Sequence, residues 1–362
     1  MADITFFTTS LSGGGAQKVF SILARELSAR DYDIDFIVID RGPGKEDLNG
    51  VNIVELQADH IRYAVPELVE YLNRESPVTI YSTLAGPNIT IMIAGKLFSG
   101  DIQIINREAT IRSISAERST GFKKMLENTA LKFLYPTADT VVTLSDDAER
   151  DLIEFVADDG FNITKIPNPV DIRRIKTQAA EPVAHEWFTE RNKVVVGVGR
   201  LVPKNDFKTL ITAFDEFKST SRDKLVILGK GREEDRLKSF VRENSISNVE
   251  FLGYVENPYK YMARSDVFAL TSRYEGMPNT VLEALACGTP VVATDSPGGT
   301  SEVLANGQYG KLAEIGEASQ ISQLLSETLN SEIDQGELKR HAENYSVEKI
   351  ADAYLDLVSI QP

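Results

Sequence analysis

The chain has 362 residues, 42% hydrophobic and 26% charged, with a net charge of −15. That length accommodates two domains, each with its own core, and the acidic balance argues against broad nucleic-acid binding, which needs clustered Lys and Arg. Cys287 is the sole cysteine, which excludes an internal disulfide and fits a reducing compartment.

The opening residues Met1–Phe7 lack the basic flank and apolar stretch of a secretory leader. No run of about 20 apolar residues occurs, so no membrane-spanning helix is expected. The expectation is a cytoplasmic chain whose contact with the inner face of the membrane, if any, is peripheral. Short β-branched segments then alternate with helical patterns. In the first half strands are predicted at Ile4–Thr8, Ile34–Ile39, Val51–Leu56, Val78–Ser82, Ile102–Ile105, Thr140–Leu144 and Asn162–Ile166. Between the first two, Ala16, Val19, Phe20, Leu23, Ala24 and Leu27 share one face at helical spacing. Pro167 and Pro169 interrupt regular structure, and a linker is expected over 169–192. Strands resume at Lys193–Val198, Lys224–Leu228, Val249–Leu252, Val267–Leu270 and Pro290–Thr294, and the pattern of Ile350–Ile360 is helical. Such alternation predicts an α/β fold of two Rossmann-like parallel-sheet domains, 1–168 and 193–344. The C-terminal segment 345–362 is expected to pack back on the first domain. Ligands of such sheets bind beyond the carboxyl ends of the strands, so a site is expected where the two sheets face a cleft.

The chemistry-bearing residues fall at those strand ends. Ser12-Gly13-Gly14-Gly15 follows the first strand and opens a helix, where glycine permits close backbone approach to a ligand. Read with Asp40 as a ribose acid, it also suggests a dinucleotide site, although the spacing is not G-x-G-x-x-G. Gly199 and Arg200 close an apolar strand and Lys204 follows four residues on, placing two cations in one loop suited to a diphosphate. Glu275 and Glu283, eight apart, flank Gly276, Met277, Pro278, Asn279, Thr280 and Val281. Pro278 suits the first turn of a helix. The N–H groups from Met277 to Val281 would then be available to a phosphate, with the two carboxylates at opposite ends of a sugar nucleotide.

Glu275-x7-Glu283, followed by Ala284-Leu-Ala-Cys-Gly-Thr-Pro-Val-Val-Ala-Thr294, resembles glycosyltransferase family 4, whose members are retaining enzymes of the GT-B fold. Gly199, Arg200 and Lys204 match the family's diphosphate-binding positions. Gly229, Gly231 and the Phe251–Val255 segment ending in Val255 match its nucleoside-side loops. Gly13–Gly15 and Pro297–Glu302 match its two glycine loops. The resemblance implies that Arg200 and Lys204 neutralise the leaving diphosphate, that Glu283 binds ribose hydroxyls and that Glu275 binds the donor sugar. It also implies same-face attack in which the departing phosphate takes the acceptor's proton.

The implied reaction moves a hexose or N-acetylhexosamine from a nucleotide sugar, UDP-linked by resemblance, to a glycan or lipid-linked acceptor, with no metal or other cofactor. Two rivals remain: a non-catalytic sugar-nucleotide-binding subunit and an NAD-type oxidoreductase. One departure bears on the first. Where the family often has a His, this chain has Asn106-Arg107-Glu108, and Glu108 either handles a proton or substrate or forms a structural ion pair with a nearby Arg. His60, His185 and His341 lie outside every motif. Asp33 and Asp35 form an Asp-x-Asp pattern, but their alternation with Ile34 and Phe36 reads as a strand with polar residues outward and no metal. Segment 112–135 carries Arg112, Arg118, Lys123, Lys124 and Lys132 against Glu117 and Glu127, with Phe122, Met125, Leu126, Leu131, Phe133 and Leu134 interleaved. It reads either as a helix packed on its own domain or as a basic amphipathic surface for an anionic membrane or pyrophosphate head group.

Overall fold

The computed structural model describes residues 2–11, 13–42, 48–117, 121–188, 192–218, 220 and 222–358. Ser12, Arg118 and the last residues of the predicted C-terminal helix lie outside that set, as does the side chain of Glu117. The chain forms two units, Met1–Pro169 with Val347–Pro362 and Val170–Ser346.

The first unit is a seven-stranded sheet of β1 Ile4–Phe7, β2 Ile34–Val38, β3 Val51–Glu55, β4 Thr79–Thr83, β5 Gln103–Arg107, β6 Thr140–Thr143 and β7 Ile163–Lys165, in the order β3-β2-β1-β4-β5-β6-β7. Every pairing is parallel. β1, β2 and β4 are buried at every residue, because apolar helices cover both faces. This corrects the outward reading of Asp35. The residue is buried, and its carboxylate accepts from Tyr71 Oη at 2.5 Å and Asn52 Nδ2 at 2.7 Å. The Val347–Leu355 helix belongs to this unit, with Ile350, Ala351 and Tyr354 in a core shared with Phe6, Phe20, Phe36 and Tyr81.

The second unit is a six-stranded parallel sheet of β8 Lys193–Val198, β9 Asp223–Leu228, β10 Val249–Gly253, β11 Val267–Leu270, β12 Val291–Thr294 and β13 Lys311–Ala313, in the order β10-β9-β8-β11-β12-β13. β13 was not predicted; it is a three-residue edge strand with only Leu312 and Ala313 apolar, too short to show a period. The segment expected to be a linker carries the Ile172–Ala179 helix instead, capped by Asp171 and with Ile175 buried in the second unit. In each sheet the strand order reverses at the centre, between β1 and β4 and between β8 and β11. Those reversals part the loops at the carboxyl ends and leave room for a ligand.

Candidate active site

In the second unit, β8 and β11 are neighbours at the reversal, pairing Val267 with Val195 and Phe268 with Val196. The loops that leave them carry the predicted cations and Glu275. The loop after β8 runs through Gly199 and Arg200 into a short 3₁₀ turn, Pro203–Asn205, and is stitched to the loop after β11 at several points. Thr271 Oγ1 donates to the carbonyls of Asn205 and Asp206 at 3.0 Å, and the Arg273 N–H donates to the Lys204 carbonyl at 2.9 Å. Lys204 Nζ reaches Glu275 Oε2 at 2.6 Å, and Ser272 Oγ donates to the other oxygen of that carboxylate at 2.8 Å. The structure therefore joins two residues that are 71 apart in sequence. Arg200 differs. Asn205 Nδ2 holds its carbonyl at 2.9 Å, which ties it to the Lys204 turn, but its guanidinium is exposed and has no partner among the described residues.

The remaining predicted residues divide by role. The carbonyl of Gly276 accepts from the Gly299 N–H at 2.9 Å, and a Cβ on Gly298 (φ +116°) would lie 1.6 Å from the Glu275 carbonyl oxygen. Glycine at 298 is thus what lets the late glycine loop back directly onto the Glu275 loop. Met277 is buried beneath it. The following helix is Asn279–Cys287, and Pro278 occupies the N-cap, one place ahead of the predicted first turn. Asn279 and Thr280 are half-buried in the opening turn. Val281 leaves the set of available donors, because helical bonding has already begun there and its N–H donates to the Pro278 carbonyl at 3.1 Å. Glu283 lies one turn in and is buried, accepting from Tyr259 Oη at 3.3 Å. Cys287, one turn further along, has its thiol pushed up to about 12 by burial, with the Glu283 charge adding to it. That keeps it a thiol and chemically inert at neutral pH.

Gly229 and Gly231 have a packing role. A Cβ on Gly229 (φ +143°) would lie 1.8 Å from the Gly199 carbonyl oxygen, and the Gly229 N–H donates to Gly253 at 2.7 Å. The Leu201 N–H donates to Lys230 at 2.9 Å, and the Gly231 carbonyl accepts from Glu234 as the chain enters a helix. These bonds fix the backbone at Gly199 and Arg200. Val255 is half-buried in the loop after β10.

Gly13, Gly14, Gly15 and Glu108 lie in the first unit. Gly14 caps the Gly15–Ser28 helix, its N–H donating to Gln17 Oε1 at 3.0 Å. Asp40, weighed as a ribose acid, is exposed and accepts from the Gly42 N–H two residues away at 2.8 Å. For Glu108 the geometry decides between the two readings and corrects the substrate-contact expectation. It is buried, and its Oε2 accepts from Arg112 Nη2 at 2.6 Å, Arg112 Nε at 3.0 Å and Tyr135 Oη at 2.8 Å, while Thr110 Oγ1 holds Oε1 at 2.8 Å. Both oxygens are engaged. Arg112 is consequently an interior residue, not part of the basic surface expected over 112–135. Ser272 and Tyr259, which hold the two glutamates, had not been singled out. Ser272 lies three residues before Glu275 in a polar loop, but nothing in the pattern ties Tyr259 to Glu283. Among the described residues no group of three or more His, Cys, Asp or Glu is placed to hold a metal.

Comparison with known proteins accords with this layout. A family model for group 1 glycosyl transferases matches residues 182–348, and one for Glycosyltransferase Family 4 matches residues 13–174. The chain belongs to the family 4 type of glycosyltransferase and is a transferase enzyme. It is 27% identical to the N-acetylgalactosamine-N,N'-diacetylbacillosaminyl-diphospho-undecaprenol 4-alpha-N-acetylgalactosaminyltransferase of Campylobacter jejuni, over 92% of this chain and 91% of the relative. It is 24% identical to the amylovoran biosynthesis glycosyltransferase AmsD of Erwinia amylovora, over 96% and 97% of the two chains. Among solved structures, Anabaena Alr3699/HepE in complex with UDP and glucose matches with a TM-score of 0.81 and 19% identity over 100% of both chains, which establishes a shared fold.

Proposed function

We propose that this enzyme is a retaining glycosyltransferase that moves a hexose or N-acetylhexosamine from a UDP-linked donor to a lipid-linked or polysaccharide acceptor in glycan assembly. One observation carries the reading. At the central reversal of the second sheet, Arg200, whose guanidinium has no partner among the described residues, is tied to the same short turn as Lys204, which is paired with Glu275. In this role Arg200 meets the donor diphosphate, and Lys204 shares its three donors between phosphate and Glu275. Glu275 accepts from sugar hydroxyls, and Glu283, oriented by Tyr259, accepts from the ribose. The C1–O bond to UDP breaks as the acceptor oxygen bonds C1 on the same face, and the acceptor's proton passes to the departing phosphate oxygen. Charge grows on that phosphate during the step, so fixed cations there favour the transition state over the ground state without a metal. The donor is supported by the Anabaena neighbour's complex with UDP and glucose. The acceptor class is supported by the diphospho-undecaprenol and amylovoran relatives.

Because the Arg200 side chain is exposed and has no partner among the described residues, Arg200→Ala should leave thermal unfolding unchanged while lowering the turnover of UDP-sugar hydrolysis or transfer by about 100-fold or more. Near-normal turnover by the folded variant would remove Arg200 from the mechanism.

A further inference from the structure

Glu283 is aimed by a chain of contacts that begins well before it in sequence. The short helix Tyr259–Met262 lies against the Asn279–Cys287 helix and is fastened to it and to the turn that follows it. Tyr259 Oη donates to Glu283 Oε1 at 3.3 Å, Cys287 Sγ donates to the Tyr259 carbonyl at 3.7 Å, and Thr289 Oγ1 donates to the Met262 carbonyl at 2.7 Å. The short helix also packs against Ile172–Ala179, the first helix of the second unit. Arg264, just past its end, donates to the Ala179 carbonyl at 2.8 Å.

Asn257 joins these neighbours. The residue is buried, and both ends of its amide are used. Nδ2 donates to the Gln178 carbonyl at 2.9 Å, and Oδ1 accepts from the N–H groups of Tyr259 at 3.1 Å and Lys260 at 3.4 Å. Tyr259 and Lys260 open the short helix, so one side chain both caps that helix and registers it against Ile172–Ala179. The task needs a donor and an acceptor on one short side chain, which an amide supplies and a carboxylate does not. Tyr259 is thereby fixed at the start of the capped turn, and its phenol touches Glu283. The Glu283 carboxylate is buried, so its direction is set by protein partners rather than by water. A carboxylate accepts from both hydroxyls of a ribose when its plane is held by such supporting contacts.

We infer that Asn257 is a positioning residue that makes donor binding selective for an intact ribose, acting through Tyr259 on Glu283 and held in register by the Ile172–Ala179 helix. The inference rests on the ribose role proposed for Glu283. Its test titrates the full chain with UDP and with the dideoxyribose analogue of UDP, which lacks both hydroxyls. Wild type should bind UDP about 100-fold more tightly, because the analogue forgoes two hydrogen bonds to a buried charged group. Asn257→Ala should narrow that ratio to about tenfold or less, chiefly by weakening UDP. In UDP-sugar hydrolysis the same variant should raise KM by about tenfold with kcat changed less than about threefold, the pattern of lost uniform binding. Tyr259→Phe, which keeps the ring, should narrow the ratio as far. Asn257→Asp keeps the acceptor for the two N–H groups but sets a carboxylate against the Gln178 carbonyl, and should fall between Asn257→Ala and wild type. A merely loosened fold would weaken both nucleotides alike and leave their ratio intact. A wild-type ratio in either folded Asn257 variant, or in Tyr259→Phe, overturns the inference while leaving Glu283 on the ribose. Equal binding of the two nucleotides by wild type would instead take Glu283 off the ribose, and the inference would fall with that reading.

Discussion

Among single residues, Glu108 shows most clearly what sequence can and cannot decide. The i,i+4 relation to Arg112 is visible in the sequence, but whether the pair faces a ligand or the interior depends on the chain path after β5. Burial alone would lower the Arg112 pKa; the Glu108 carboxylate outweighs it, and the guanidinium is held above its ordinary value. The Tyr135 phenol, buried beside the same carboxylate, is pushed well up and remains a donor. Removing one member of such a pair strands the other in a low-dielectric interior. Glu108→Gln should therefore cost about 3–5 kcal/mol of stability, read as a lower denaturation midpoint, with turnover of the folded fraction changed only a few-fold. An unchanged midpoint with lost turnover would restore Glu108 as a proton-handling residue. Arg200 and Lys204 are singled out by their place after an apolar strand and by the resemblance, and the structure puts both in one loop, with Lys204 paired to Glu275. The hydrogen bonds that aim Glu275 and Glu283 were not legible, because Tyr259 reaches Glu283 across 24 residues through tertiary packing alone.

Among elements, the strands that read most clearly are those buried on both faces. β8 and β11 were predicted with their observed limits, since short, largely apolar runs bounded by polar residues leave little room for another reading. The short edge strand β13 and the Ile172–Ala179 helix escaped because neither supplies enough apolar residues to show a period. The Val347–Leu355 helix tests how far an element is defined by what it packs against. It follows the second unit in sequence, yet Ile350 and Tyr354 sit in the core of the first. Tyr81 Oη donates to the Tyr354 carbonyl at 2.6 Å, and the two rings meet edge-on at 5.4 Å. Nearby, Arg107 is fully buried, with burial pulling its pKa down; Thr83 Oγ1 accepts from it at 3.1 Å and Asn168 accepts from its other terminal nitrogen. If the helix is an integral part of that core, Ile350→Ala should cost about 2–4 kcal/mol by urea titration followed with circular dichroism. A cost below about 1 kcal/mol would mark the helix as a loosely held appendage.

At the scale of the whole molecule, the acidic charge and the proposed ligand oppose each other. A nucleoside diphosphate approaches a chain of net charge −15 and must be held by local cations rather than steered by the overall field. Beyond about 10 Å that field is largely screened at 0.1 M salt, so affinity should depend chiefly on the Arg200–Lys204 turn and the Glu283 carboxylate. Both lie in the second unit, and any ligand that binds only folded protein raises the free energy of unfolding by mass action, by about 2.7 kcal/mol at 100 times its Kd. UDP should therefore raise the melting temperature of wild type. UMP, which lacks the β-phosphate, should raise it far less, and NADH should leave it unchanged. Glu283→Ala should lose the UDP shift because the ribose contact is gone. Lys204→Ala should reduce the difference between UDP and UMP, because that difference measures the cation facing the second phosphate. Equal shifts from UDP and UMP in wild type would mean that the diphosphate is not held at this turn, and the leaving-group role given to Arg200 and Lys204 would fall with it, whatever sugar the enzyme transfers.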